Sequence, residues 1–276
     1  MEVRNLPNEQ AYRQLTTKEL RQAYVLEHLF TPDTVSIVYH DADRAIVGGA
    51  MPVSKNLALE ASKKEMAAEY FNERRETGIV NVGGTGIVKV DGQDYKMEKS
   101  DMLYVGRGVK NIEFGRSGKN DPAYYFVSFP AHTAYPTTHI PETKAEKNTL
   151  GSLETSNKRT IKKYIYEGGA RSCQLVMGLT ELDTGSVWNT MPAHTHMRRM
   201  EVYLYYDLPE DGMVVHLMGP AKETRNLLMK NRQAVVSPAW SIHCGAGTAK
   251  YSFVWAMGGE NQAFADMDPV AIRDLQ

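Results

Sequence analysis

Short strand-like segments separated by turn residues are the feature that most restricts how this chain can fold. One stretch, GIVNVGGTGIVKVDGQDYKMEKSDMLYVG, alternates apolar and polar residues and carries Gly-Gly at 83–84 and Asp-Gly at 91–92, where tight turns are expected. Later segments have the same texture, among them EVYLYYDL, GMVVHLMG, QAVVSP and YSFVWAMG. The pattern predicts an all-β fold of antiparallel barrels or sandwiches. One early helix is also predicted, because Thr16 and Glu19 have the spacing of a capping box.

A polar, irregular stretch divides the chain into two β-rich halves. It runs from Pro130 to about Asn157, contains three prolines and a glycine, and is interpreted as the connector. A length of 276 residues suits one large domain or two small ones. We therefore predict two domains, residues 1–140 and residues 141–276.

Composition bears on which partners and which cellular location are expected for the protein. The formal net charge is −1, so the chain has no broad electrostatic attraction to nucleic acid or to an anionic membrane. The amino-terminal MEVRNLPNEQ lacks the apolar region of a signal peptide, and no apolar run approaches the ~20 residues that span a bilayer. Cys173 and Cys244 are too isolated for a disulfide framework. These features predict a cytoplasmic protein without a nucleic-acid or membrane partner.

The segment PAHTHMRRMEVYLYY carries the most specific chemistry in the sequence. His194 and His196 are two positions apart, so on a strand they share a face, ~6.6 Å apart. Glu201 follows after an odd step of five, which requires a turn within His-Met-Arg-Arg-Met to restore that face. Tyr203 and Tyr205 then alternate with Glu201 and are expected to point inward.

These side chains predict a metal site. Two imidazoles and a carboxylate are costly to bury unless a cation coordinates them. The segment SPAWSIHCGAG supplies a fourth ligand, His243, soon after another strand. The predicted metal ligands are His194, His196, Glu201 and His243. The other five histidines have no partner at ligand spacing and are interpreted as structural.

The two spacings, His194-x-His196-x4-Glu201 and Pro238-x4-His243, resemble the two metal motifs of the cupins. Cupins are small antiparallel barrels, also described as a double-stranded β-helix or jelly roll, that hold one metal ion with three histidines and one glutamate. The resemblance implies two tandem cupin barrels with a few short helices.

The first half resembles a cupin barrel without its metal ligands. Glu76 is followed seven positions later by glycine, as in the first cupin motif, but the histidine positions hold Glu69, Phe71 and Asn111. We therefore predict an N-terminal barrel that lacks metal ligands and has an interior filled by apolar side chains. One metal ion per chain, in the C-terminal barrel, is expected.

Over essentially the whole chain, the sequence resembles the 5-keto-4-deoxyuronate isomerase family, formally 4-deoxy-L-threo-5-hexosulose-uronate ketol-isomerase. The resemblance rests on length and on PAHTHMRRMEVYLYYDLPE, SPAWSIHCGAGTAKYSFVWAMGGEN and VGGTGIVKVDG. It implies a zinc enzyme, a homo-oligomer thought to be hexameric, and a small deoxyuronate substrate. The implied reaction converts 5-dehydro-4-deoxy-D-glucuronate to 3-deoxy-D-glycero-2,5-hexodiulosonate in pectin breakdown.

Several alternatives stay open from the residues alone. The same ligand set serves iron or manganese in cupin oxidases and dioxygenases, and a cupin can also bind a sugar without catalysis. Arg198 and Arg199 are candidates for binding the substrate carboxylate, or they are solvated turn residues. Tyr203 and Tyr205 either face the pocket or pack the barrel, with packing expected for one of them. The sequence does not identify the catalytic base.

Overall fold

Strands account for most of the regular structure in the computed structural model, which describes residues 1–276. In chain order the strands are β1 (Glu2–Arg4), β2 (Val25–Leu26), β3 (Val35–His40), β4 (Ile46–Ala50), β5 (Leu57–Ala58), β6 (Arg75–Asn81), β7 (Gly86–Val90), β8 (Gln93–Met97), β9 (Met102–Val105), β10 (Ile112–Arg116), β11 (Tyr124–Pro130), β12 (Thr138–Ile140), β13 (Glu146–Leu150), β14 (Arg159–Ile165), β15 (Val176–Leu182), β16 (His194–Thr195), β17 (Arg199–Tyr206), β18 (Val214–Gly219), β19 (Arg225–Met229), β20 (Gln233–Ser237), β21 (Ile242–Gly247), β22 (Ser252–Gly259) and β23 (Asp268–Pro269). The all-β prediction is confirmed.

Helices are few and short. They are α1 (Glu9–Tyr12), α2 (Thr17–Tyr24) and α3 (Lys63–Met66), with 3-10 turns at Ala42–Arg44, Phe71–Glu73, Glu142–Lys144 and Ile272–Asp274. The predicted capping box is present before α2, where the Thr16 and Glu19 side chains each accept from the other residue's backbone N–H. None of the helices is long and apolar enough to cross a lipid bilayer.

The first of two compact units comprises Met1–Arg4, His28–Ala145 and Tyr164–Val176. Its larger sheet has the order β1-β3-β4-β11-β6-β9-β12, and its smaller sheet has the order β5-β10-β7-β8. Apolar side chains from both sheets form its core, where Phe114 stacks on Phe126 with ring centroids 5.9 Å apart. An apolar cluster therefore forms the core between the two sheets, in agreement with the sequence prediction.

The second unit comprises Asn5–Glu27, Glu146–Lys163 and Met177–Gln276. Its larger sheet has the order β13-β14-β15-β22-β17-β20-β2, and a three-stranded sheet has the order β19-β18-β21. A further pair joins β16 to β23. This unit contains all of the residues predicted to bind metal.

Strand order reveals a repeat between the two units. The series β4-β11-β6-β9 in the first corresponds to β15-β22-β17-β20 in the second, and β8-β7-β10 corresponds to β19-β18-β21. In both units, the strands therefore enter the sheets in the same sequence order. This arrangement is the one expected for two tandem jelly-roll barrels.

The unit boundaries differ from the predicted division after residue 140. Asn5–Glu27 belongs to the second unit, because Val25 of β2 pairs with Val235 of β20. The Tyr12 hydroxyl also donates a 2.9 Å hydrogen bond to the Met218 carbonyl. Such pairing joins residues about 200 positions apart and leaves no pattern in the local sequence. One boundary along the chain therefore does not describe the two units.

Candidate metal centre

A tight turn between two strands brings two histidines and a glutamate together. His194 lies on β16, and the backbone N–H of Arg199 donates to the His196 carbonyl (3.2 Å), which closes the turn. β17 then begins at Arg199 and carries Glu201. On one unbroken strand, Glu201 would point away from the two histidines because it lies five positions after His196. The turn lets its side chain point to the same side as theirs, as the sequence predicts.

His243 joins this group from β21 of the smaller sheet. The Nε2 atoms of the three histidines lie 3.1–3.2 Å from one another. The Glu201 carboxylate Oε2 lies 2.8 Å from Nε2 of His196 and 2.7 Å from Nε2 of His243. Ligand atoms of the four residues all fall within 4.8 Å of one another, so the cluster could hold a metal ion.

Hydrogen bonds on the far side of two rings fix which nitrogen faces the cluster. His196 Nδ1 lies 2.9 Å from the Asp266 carbonyl, and His243 Nδ1 lies 3.3 Å from the Ser241 carbonyl. Because a carbonyl can only accept, each Nδ1 carries the proton and each Nε2 presents a lone pair to the centre. Lone pairs facing one another across ~3 Å repel unless a cation lies between them. The orientation therefore fits a metal centre.

The electrostatics of the cluster also favour a cation. Burial, reinforced by the neighbouring His243, lowers the pKa of His194 to about 2, so this imidazole is neutral. Burial by itself would raise the pKa of Glu201, but His243 and His196 lower it overall, and the carboxylate stays ionised. A buried carboxylate surrounded by imidazole nitrogens is an arrangement that a divalent ion satisfies.

The cluster opens into a cavity of about 410 Å³ within the second unit. Its polar wall includes three of the four cluster residues together with a few hydroxyl groups and one guanidinium: His194, His196, Glu201, Tyr203, Thr180, Thr190 and Arg159. Apolar side chains form most of the remaining wall: Leu150, Ile161, Met191, Pro192, Ala193, Phe253, Trp255, Met257, Phe264, Ala265, Met267 and Pro269. A mostly apolar cleft with a few convergent polar groups is typical of a small-molecule site.

The two candidate tyrosines have different surroundings. Tyr203 lines the cavity, its hydroxyl lies 3.0 Å from Thr190 Oγ1, and its ring packs edge-on to His243. The Tyr205 hydroxyl instead lies 2.8 Å from His216 Nδ1 and is not part of the cavity wall. Tyr203 is therefore positioned to meet a ligand, whereas Tyr205 packs the barrel.

Arg198 and Arg199 do not line the cavity. The Arg198 guanidinium donates to both carboxylate oxygens of Asp266 at 2.5–2.9 Å and to Asp268 at 3.1–3.2 Å. Arg199 is buried and donates to the Ala263 carbonyl at 2.7 Å and to the Asp266 carbonyl at 2.9 Å. Both guanidinium groups thus bind residues 261–268, and neither lines the cavity. Binding of a substrate carboxylate by Arg198 or Arg199 stays a prediction.

Sequence reasoning missed the cation that does reach the cavity. Arg159 is the first residue of β14, and Ile161, two positions later, reaches the same wall. Side chains two positions apart on a strand share a face, so the apolar Ile161 could have placed Arg159 on the inner face of the predicted strand TIKKYIYE or just before it. The loop at 261–268 was also missed, although it supplies Phe264, Ala265 and Met267 to the wall.

The corresponding positions of the first unit do not form a second cluster. Phe71 lies in the apolar core, and the Asn111 side chain donates to Asp91. Glu76 is buried, and its carboxylate accepts from the backbone N–H groups of residues 173–175 at 2.6–2.9 Å and from the Tyr104 hydroxyl at 2.8 Å. The protein itself therefore satisfies this buried carboxylate. Glu69 is mostly exposed.

Fold and site together define a jelly-roll protein of the cupin class with a three-histidine, one-glutamate cluster. Residues 26–272 match the family described as the KduI/IolB family, and the chain belongs to it. It is 50% identical over 277 residues to the 4-deoxy-L-threo-5-hexosulose-uronate ketol-isomerase of Caldicellulosiruptor bescii, covering 100% of both chains. The protein of that name from Lachnoclostridium phytofermentans is 49% identical over 277 residues, again with complete coverage of both. The family resemblance predicted from the sequence is confirmed.

Solved structures extend the comparison of the fold. An IolB-like protein from Salmonella typhimurium LT2 superposes with a TM-score of 0.67 at 14% identity, covering 82% of this chain and 87% of that one. Bacillus subtilis oxalate decarboxylase superposes with a TM-score of 0.55 at 9% identity, covering 83% of this chain and 71% of that one. Identities this low show a shared fold and carry no information about the reaction.

Proposed function

We propose that this chain is a metal-dependent ketol-isomerase that converts 5-dehydro-4-deoxy-D-glucuronate to 3-deoxy-D-glycero-2,5-hexodiulosonate. The observation that carries the proposal is the cluster of three histidines and a glutamate at the wall of a small-molecule cavity, in a chain half identical to ketol-isomerases over its full length. The reaction moves a hydrogen between adjacent carbons without net oxidation. It therefore needs no redox cofactor.

His194, His196, Glu201 and His243 would hold the ion. When bound, a divalent ion supplies Lewis acidity that stabilises negative charge on the substrate oxygens during proton transfer. Imidazole nitrogens and one carboxylate suit zinc, although iron and manganese accept the same donors. We propose zinc, with one ion per chain. The hexameric assembly and the cytoplasmic location stay predictions.

Tyr203 would contribute a hydrogen bond to the reacting end of the substrate. Burial raises the pKa of its phenol well above the usual value, and the nearby Glu201 carboxylate adds to this effect. The phenol therefore stays protonated near neutral pH and can donate to an oxygen on which charge develops. The apolar walls reduce the access of water, which strengthens such a hydrogen bond.

Metal removal tests the metal dependence. Protein stripped with a chelator is expected to lose isomerase activity, and addition of zinc is expected to restore it at one ion per chain. Activity is measured by following the 2-ketose product, and metal content is measured by elemental analysis. Restoration by iron or manganese but not by zinc would contradict the metal assignment. Full turnover by metal-free protein would contradict the metal-dependent function.

The Tyr203→Phe variant tests the hydrogen bond from the phenol. We expect kcat to fall by about 100-fold, the typical cost of one lost donor to a developing oxyanion, with little change in metal content. Tyr205→Phe is the matched control because it removes a buried hydroxyl outside the cavity. It is expected to keep its kcat and to lose about 1 kcal/mol of unfolding free energy. Equal losses of kcat in both variants would remove Tyr203 from the reaction.

A further inference from the structure

One cationic side chain in the cavity wall has no role in the proposed metal cluster. Among the residues that line the cavity, Arg159 is the one lysine or arginine. It forms no ion pair, and its single hydrogen bond runs from Nη1 to the Asn157 carbonyl at 2.8 Å. A guanidinium has five N–H donors, so most of its hydrogen-bonding capacity is unused.

The surroundings of Arg159 favour an anionic ligand. Burial lowers the pKa of its guanidinium, while the nearby Tyr203 and Tyr251 partly oppose that effect. The group remains charged, because arginine is not deprotonated in proteins. A partly buried cation without a counter-ion is costly, and a carboxylate would remove that cost through paired, charge-assisted hydrogen bonds.

The strand order separates Arg159 from the metal cluster by a span that suits one small molecule. Arg159 lies on β14 and Glu201 lies on β17, with β15 and β22 between them in the sheet. Three strand spacings correspond to about 14 Å between the two backbones. Both side chains project into the same cavity, which shortens the gap between their polar ends. A ligand with polar groups at both ends could therefore contact both.

We propose, building on the isomerase function proposed above, that Arg159 binds the substrate carboxylate and thereby directs the carbonyl end of the uronate toward the metal cluster. In a six-carbon uronate the carboxylate and the reacting carbonyl lie at opposite ends of the chain. Arg159 would therefore select acidic sugars over neutral ones, since a neutral sugar would leave the guanidinium unpaired. Arg159 is thus a determinant of specificity and orientation.

Two single-charge variants provide the test. Arg159→Gln removes the cavity cation, and Lys158→Gln removes the neighbouring surface cation, which pairs with Asp183 at 3.0 Å. Steady-state kinetics are measured on the deoxyuronate and on its methyl ester. We expect Arg159→Gln to lower kcat/KM for the acid by about 10- to 100-fold, mainly through KM, because charge-assisted hydrogen bonds are lost. The ester should change little, and Lys158→Gln should match the unmodified protein.

Binding measurements separate this proposal from the isomerase assignment. Calorimetry with zinc-loaded protein compares D-glucuronate with neutral D-glucose, and neither measurement requires turnover. The unmodified protein is expected to prefer the acid, and Arg159→Gln is expected to lose that preference. A lack of isomerisation by the unmodified protein would count against the proposed function, while the binding preference would still test Arg159.

A third variant keeps the proposal testable if Arg159→Gln does not fold. Arg159→Lys retains the charge but lacks the planar fork, so an intermediate loss of kcat/KM for the acid is expected. Thermal melts monitored by circular dichroism establish that each variant is folded. A folded Arg159→Gln protein that keeps its preference for the acid over the ester, or for glucuronate over glucose, would overturn the proposal.

Discussion

The His243→Ala variant is expected to lose both metal and isomerase activity. His243 is the proposed ligand from the smaller sheet, and its Nε2 lies within 3.2 Å of the His194 and His196 Nε2 atoms and of the Glu201 carboxylate. Loss of a residue that only hydrogen-bonds to a metal ligand typically costs about 10- to 100-fold in metal affinity, and loss of a ligand itself should cost more. Metal affinity is measured by competition with a chromogenic chelator, and activity is measured on the deoxyuronate.

Controls distinguish loss of the ligand from general damage. His28→Ala removes an exposed histidine of the first unit and is expected to retain normal metal content and turnover. His243→Ala should stay folded. The change removes one of three imidazoles whose Nε2 lone pairs face one another at 3.1–3.2 Å, so it relieves repulsion in the metal-free protein. Full zinc occupancy with normal turnover in the His243→Ala protein would show that the four residues are not the metal site.

Local spacing made much of the candidate site predictable. A strand places residues i and i+2 on one face, so His194 and His196 could be paired from the sequence alone. The odd step to Glu201 required a turn, and the turn lies where the polar residues predicted it. Strand texture likewise predicted the all-β class, because alternation and turn residues are properties of neighbouring positions.

Features that depend on distant pairing were not predictable in this way. Arg198 meets Asp266 across 68 positions, and Glu76 accepts backbone hydrogen bonds from residues up to 99 positions away. Nothing in the local sequence of Arg198 indicates which carboxylate it will meet. The same reason hid the cavity position of Arg159, whose importance depends on which strands flank β14 in the sheet.

The Arg199→Met variant is expected to weaken metal binding without touching a ligand. Arg199 holds the loop at 261–268 by donating to the Ala263 and Asp266 carbonyls, and the same Asp266 carbonyl accepts from His196 Nδ1. Loss of the guanidinium should loosen that carbonyl and let the His196 ring reorient.

The Arg199→Met protein should lose about 10- to 100-fold in zinc affinity, the usual cost of a disturbed outer partner. A loss of about 3 kcal/mol in unfolding free energy should accompany it, because the charge-assisted hydrogen bonds from the buried guanidinium to the Ala263 and Asp266 carbonyls are lost. The control is Arg198→Met, whose guanidinium is more exposed and bonds to carboxylates rather than to the carbonyl that orients His196, so its effect on zinc affinity should be smaller. Zinc affinity is compared by chelator competition at a temperature at which all three proteins are folded by circular dichroism. An unchanged affinity in Arg199→Met under those conditions would mean that the metal and the turn between β16 and β17 hold the ring of His196, and that the loop at 261–268 contributes only to stability.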